Sequence, residues 1–332
     1  VLERLQNYDM DPEERQEYEC VKVDILHGRG STSQAMEHLE YVVSESEQED
    51  NASTTSEASQ EQKLKFRVKS ARLLIDTGLH KKASKQLEDA LKISQTIYGH
   101  ESRHPNIANV YDLLAEVEIA QRNFDTAEMY LKESQQVFTA DDQVHRHKFL
   151  LVELYIGRKD FKEALAHVLN LASIVENPFV SVTTPPHQKG KVYLLMGQIF
   201  LSLGKTVTAR QKLERANALL RIPIPDRNKN IIVPELEHSL YLLAECCLQD
   251  KMLLRALECI YGCLSGLKLF ISEHPSFNPS YFRDIKVTLS KVLWLMWKEG
   301  ELSTESDDHK AGIRSCYIFL SNIYARKGND KE

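Results

Sequence analysis

The chain uses few of the residues that interrupt or staple a fold. Its 332 residues include 13 Gly and 10 Pro, too few for the dense turns of an all-β protein, while abundant Leu, Ala, Glu, Lys and Gln favour helices. The six cysteines, Cys20, Cys246, Cys247, Cys259, Cys263 and Cys316, lack the density and spacing of a secreted disulfide framework. They imply reduced thiols in a cytoplasmic or nuclear setting. No apolar run approaches the ~18 residues that suggest a membrane span. The longest candidate, IKVTLSKVLWLMW from Ile285 to Trp297, is broken by Lys and Ser. Basic residues are outnumbered 42 to 48, giving a net charge of −6, which argues against a partner that is chiefly phosphate backbone. Signatures of catalysis are missing as well: no phosphate loop, dinucleotide fingerprint, HExxH or GxSxG occurs, so neither enzymatic activity nor a cofactor is expected.

What the chain does contain is helical periodicity. From Glu13 onward, apolar residues recur at three- and four-residue spacing in patterns of ~15–20 residues, separated by short polar breaks. An alanine, a large apolar residue four later and another small or apolar residue three after that recur as Ala83-Leu87-Ala90, Ala127-Leu131-Ser134, Ala164-Val168-Leu171, Ala209-Leu213-Ala216 and Ala256-Ile260-Cys263. Twelve residues before each leading alanine stands Ala71, Ala115, Val152, Gly197 or Ala244, a column of mostly small residues where two helices must approach closely.

A bulky residue before the small column, an aromatic or aliphatic residue after it and alanine in the next helix together resemble the tetratricopeptide repeat family. The stretch Leu87-Glu88-Asp89-Ala90-Leu91, Tyr98-Gly99, His104-Pro105 and Ala127-Glu128 resembles the longer repeats of kinesin light chains and nephrocystin-type proteins. Pro105 suits a first helical turn, where its missing N–H costs nothing, and His274-Pro275 reads the same way. The resemblance implies an all-α, right-handed α-solenoid of helix-turn-helix repeats. The leading alanines, 83, 127, 164, 209 and 256, lie further apart and less regularly than a 34-residue period, so longer helices and loops are expected.

Four regions follow: N-terminal helices and a degenerate repeat over 1–43, an acidic Ser-rich loop over 44–61, repeats over 62–270, and C-terminal helices or a cap over 271–332. The loop SESEQEDNASTTSEASQ, Ser44 to Gln60, has no apolar residue other than alanine to bury. RIPIPDRNKNIIV, Arg221 to Val233, reads as a second loop ahead of a helix starting at Pro234. The opening VLERLQNYDM, without an initiator Met or a basic-then-apolar leader, fits a fragment of a longer protein.

The candidate chemistry is meagre. Cys247 and Cys263 fall in columns filled elsewhere by packing residues, so buried small hydrophobes are favoured over a zinc site. Asp141, Asp142, His145, Arg146 and His147 read as a solvated first helical turn.

The resemblance places the first helix of each repeat on the concave, partner-facing side. Six residues before the small column come Lys65, Asn109, Arg146, Lys191 and His238; one after it come Arg72, Glu116, Glu153, Gln198 and Glu245. Two polar rows are expected, one mostly cationic and one largely anionic. Four after the small column, Ile75, Ile119, Ile156, Leu201 and Leu248 are all apolar, and Ile119 and Leu201 are candidates for a groove floor. Three before it, Val68, Asp112, Phe149, Leu194 and Tyr241 do not reproduce the cation cluster that grips C-terminal carboxylates in this family.

The expected function is a non-enzymatic adaptor that holds a peptide or helix of another protein in its groove. A structural repeat array within a larger receptor or assembly is the alternative. An RNA-binding solenoid is a third reading, favoured by Lys63, Lys65, Arg67, Lys69 and Arg72 and opposed by the glutamates of later first helices.

Overall fold

In the computed structural model, the described residues are 18–19, 21–23, 25–26, 34–39, 57–99, 104–136, 141–177, 184–223, 234–273 and 282–299. All regular structure among them is helical. The main helices are α1 (Glu57–Asp76), α2 (His80–Tyr98), α3 (Pro105–Ala120), α4 (Phe124–Gln135), α5 (Asp141–Arg158), α6 (Phe161–Glu176), α7 (Pro186–Ser202), α8 (Thr206–Leu220), α9 (Pro234–Gln249), α10 (Leu253–Glu273) and α11 (Phe282–Glu299). Helix α1 takes up the last five residues, 57–61, of the 44–61 segment read as loop. The rest of that segment, the opening 17 residues, His274-Pro275 and residues 300–332 lie outside the described residues.

The chain divides into two compact units, one reaching His167 and the other starting at Val168, within α6. In the first, α1 packs on α2 and α3 on α4, while α3 also touches α1, α2 and α5. In the second, α7 packs on α8 and α9 on α10, while α9 also touches α7, α8 and α11. Helices α1, α3, α7 and α9 therefore each touch their own second helix and, within a unit, the first helix of the next repeat. The architecture is the helix-turn-helix repeat of an α-solenoid.

Burial follows the sequence columns closely. Ala71, Ala115, Val152 and Ala244 are 0% exposed, as are the five leading alanines, Ala83, Ala127, Ala164, Ala209 and Ala256. Gly197 carries the point furthest: a Cβ there would lie 2.4 Å from Leu213 Cγ and 3.4 Å from the Ala209 carbonyl. The side chain four after each leading alanine is buried as well, at Leu87, Leu131, Val168, Leu213 and Ile260, and Leu213 fills the seam beside Gly197. Small residues on the first helix let the second approach until its larger residue interdigitates, which is how dense packing is reached.

One turn is used five times. Gly78, Arg122, Lys159, Gly204 and Lys251 each adopt a left-handed φ, at 78°, 66°, 66°, 73° and 60°. The amide of each bonds to the carbonyl of Ile75, Ile119, Ile156, Leu201 or Leu248, at 2.9–3.2 Å. The next amide, of Leu79, Asn123, Asp160, Lys205 or Met252, reaches back to Leu74, Glu118, Tyr155, Phe200 or Cys247, at 2.8–2.9 Å. These are Schellman turns, and they satisfy carbonyls that the ending helix leaves bare. Each second helix starts at once, because the leading alanine's amide bonds to that same next residue. The fixed five-residue offset from left-handed residue to alanine holds the register of every pair.

Helix starts agree with the proline reading. Pro105 and Pro234 open α3 and α9, and His104 caps α3 by accepting from the Asn106 amide at 3.3 Å while stacking on Tyr98. The seam at Gly197 predicts that Gly197→Val destabilises the protein by about 1–3 kcal/mol, because Leu213 has no room to yield. Urea denaturation measures this directly, and Gln198→Ala one residue along should cost much less.

Candidate functional site

Within each unit, members of the two polar rows form a ladder of contacts between neighbouring first helices. Arg72 on α1 donates to Asn109 Oδ1 on α3 at 3.1 Å, and Arg146 on α5 donates to Glu116 Oε2 on α3 at 2.6 Å. In the second unit, the Thr288 hydroxyl of α11 donates to the Glu245 carboxylate of α9. The residue one after the small column thus meets a polar group early on the next first helix. Arg146 and Glu116 remain about one-third exposed, so water screens their pairing and its worth is modest. The ladder fixes the repeat-to-repeat register within each unit and still shows one edge to solvent.

The remaining row members are placed as follows. Lys65 is exposed, and Lys191, Glu153 and Gln198 are half-buried on their helices. His238 stacks on Tyr241 with ring centroids 6.4 Å apart, and loss of hydration pushes its imidazole down to about 4. It is a neutral ring at physiological pH, so the row that reads as cationic lacks a charge there. Ile75, Ile119, Ile156, Leu201 and Leu248 are all half-buried. Their carbonyls accept the turn amides, which sets the row beside the turns. Ile119 also packs against Ala115, Ala127, Leu131, Leu150 and Leu154, so its side chain serves the core as well as the surface.

Sequence reasoning missed a buried polar node. Ser134 Oγ donates to Asp112 Oδ1 at 2.6 Å, and His147 Nδ1 lies 3.2 Å from the same oxygen. All three residues are at most 4% exposed. Reading His147 as part of a solvated turn is corrected here: it is buried between helices, where its partner is Asp112. The node is made of Ser, His and Asp, and its serine proton is committed to the carboxylate. Its role is to tie α3, α4 and α5 together, since buried polar groups must find partners. One signal was available, because Asp112 occupies a column that is otherwise Val68, Phe149, Leu194 and Tyr241.

A second buried acid lies in the other unit. Glu237 on α9 is 5% exposed and sits over Gly266 of α10, where a Cβ would strike its carboxylate. Desolvation pushes its carboxyl up to about 7. Among the described residues, no group of three His, Cys, Asp or Glu side chains could hold a metal ion, and no helix is long and apolar enough to cross a membrane.

The fold is an array of helix-turn-helix repeats. The family model for the tetratricopeptide repeat matches residues 66–140 of the chain. No curated protein matches the chain. Among solved structures, NprR in complex with its cognate peptide NprX is similar at 16% identity and TM-score 0.59, covering 99% of this chain and 86% of that one. A Rap protein complexed with Competence and Sporulation Factor is similar at 13% identity and TM-score 0.56, covering 95% and 80%. A putative kinesin light chain with TPR-like repeats from Podosopora anserina aligns at 17% identity and TM-score 0.47, covering 63% and 96%. At these identities the likeness concerns the fold.

The Glu237 environment predicts a pH dependence. Its pKa is raised from 4.5 to about 7 on folding, so the folded state holds the proton more tightly than the unfolded chain. That stabilisation is complete below pH 4.5 and is lost as pH rises to 7, at a slope approaching 1.4 kcal/mol per unit. Glu237→Gln should match wild type at low pH and exceed it in stability above pH 7, as read by denaturation midpoints across that range.

Proposed function

We propose that this scaffold is a non-enzymatic adaptor whose first-helix face holds a peptide or helix of another protein. The observation that carries the reading is the half-buried apolar row Ile75, Ile119, Ile156, Leu201 and Leu248, flanked by Lys65, Arg72, Asn109, Glu116, Arg146 and Glu153 in one unit and by Lys191, Gln198, His238 and Glu245 in the other. Core side chains of the same helices are almost fully buried, whereas this row keeps apolar surface at hand for a partner's anchors. Each fully buried anchor is worth about 1.5–3 kcal/mol. The polar flanks suit register and specificity more than affinity. NprR, which shares the fold, is in complex with its cognate peptide NprX, and a Rap protein with Competence and Sporulation Factor; the first of these supports a ligand of the peptide class.

The test compares immobilised wild-type protein with Leu201→Asp/Lys191→Glu for the proteins they retain from cell lysate at moderate salt. The expected result is a small set retained by wild type and lost by the variant, with the variant's Tm within ~4 °C of wild type, a shift of about 1 kcal/mol at this size. An unchanged set would overturn the reading, and so would retention of nucleic acid in place of protein.

A further inference from the structure

Four cysteines lie in the last described helix pair, and two of them face each other. Cys247 stands three residues after the small-column Ala244 on α9, and Cys259 three after the leading Ala256 on α10. The register shows that these two positions meet across a pair: in the third repeat they hold Tyr155 and His167, whose rings stack at 5.2 Å. Helices α9 and α10 pack along their lengths. Cys247 is fully buried, Cys259 half-buried, and the two thiols share a hydrogen bond. Cys246 and Cys263 are fully buried too, and there burial pushes both thiols up, Cys246 to about 12.

We propose that Cys247 and Cys259 form a redox-active pair that closes to a disulfide across the α9–α10 helix pair when a small peroxide reaches it. The surroundings bias the chemistry toward Cys247 as the first sulfur to react. The hydrogen bond from Cys259 draws its thiol down, and the Arg255 and Arg210 guanidiniums favour the thiolate further. Cys259, as donor and under desolvation, is pushed up and keeps its proton. The two arginines are held near by partners of their own, Arg210 on Asp250 and Arg255 on Glu214, each at 2.6 Å.

The steps balance with hydrogen peroxide as oxidant. The Cys247 thiolate attacks one peroxide oxygen, the O–O bond breaks, and the departing hydroxide takes a proton to become water. The sulfur is left as a sulfenic acid. The Cys259 sulfur then attacks the Cys247 sulfur, the S–O bond breaks, and the leaving hydroxide carries off the Cys259 proton as a second water. Two thiols lose two electrons and one peroxide becomes two waters. The disulfide joins the last turn of α9 to the second turn of α10 and stiffens that repeat.

The test uses the whole chain with Cys20→Ser and Cys316→Ser, which leaves only the four thiols of this helix pair. The native protein is treated with a modest excess of hydrogen peroxide, alkylated, cut with trypsin without reduction and mapped by mass spectrometry. Lys251 and Arg255 separate the two cysteines, so the link joins two distinct peptides. The expected result is a Cys247–Cys259 link, loss of two free thiols, reversal by a dithiol reductant and a Tm raised by a few degrees. Adding Cys259→Ala should stop the reaction at a sulfenic acid on Cys247. Four thiols that stay alkylatable would overturn the proposal. So would links to Cys246 or Cys263, or oxidation to sulfinic acid with no link.

Discussion

Everything in this structure depends on how closely two helices of a repeat can approach at one point. Where Ala71 meets Ala83, Ala115 meets Ala127, or Gly197 meets Ala209, no side chain larger than a methyl separates the backbones. The larger residue of the second helix can then fill the seam beside them. That contact cannot stabilise one pair alone, because each first helix still has an apolar side to cover. The next repeat covers it, which is why the chain repeats the unit. The turn obeys the same constraint. Five left-handed residues, each five before a buried alanine, rotate the chain by the same amount, and three of them are Arg or Lys, which accept strain of ~1–2 kcal/mol that glycine would avoid.

This explains why the fold was so legible in the sequence. Small residues twelve apart, and a large one four further on, are direct imprints of the seam, and all of them are buried. Pro105 and Pro234 marked helix starts because a missing N–H is harmless only there. Glycine occupies the left-handed position at Gly78 and Gly204, whereas the residue types of Arg122, Lys159 and Lys251 give no hint of a left-handed backbone.

The candidate site was legible as positions and illegible as chemistry. The rows identified which residues occupy the first-helix face, but not that Arg146 would spend its charge on Glu116 or Arg72 its donors on Asn109. Such pairing depends on the rotation between neighbouring helices, which no local pattern carries. His147 was misread for a related reason: its neighbours Arg146 and Lys148 are polar, and only the approach of Asp112 from α3 makes an interior place for it. The facing of Cys247 and Cys259 was implicit in the register, since Tyr155 and His167 hold equivalent positions, but seeing it required knowing that those positions touch.

The central claim is that the first helices, and not the second, carry recognition. Cross-linking mass spectrometry of the protein purified together with its bound partner, using an amine-reactive reagent, separates the two faces. The account predicts partner cross-links at Lys65 and Lys191, on α1 and α7. Cross-links confined to Lys85, Lys92, Lys132, Lys162 and Lys212, all on second helices, would contradict it.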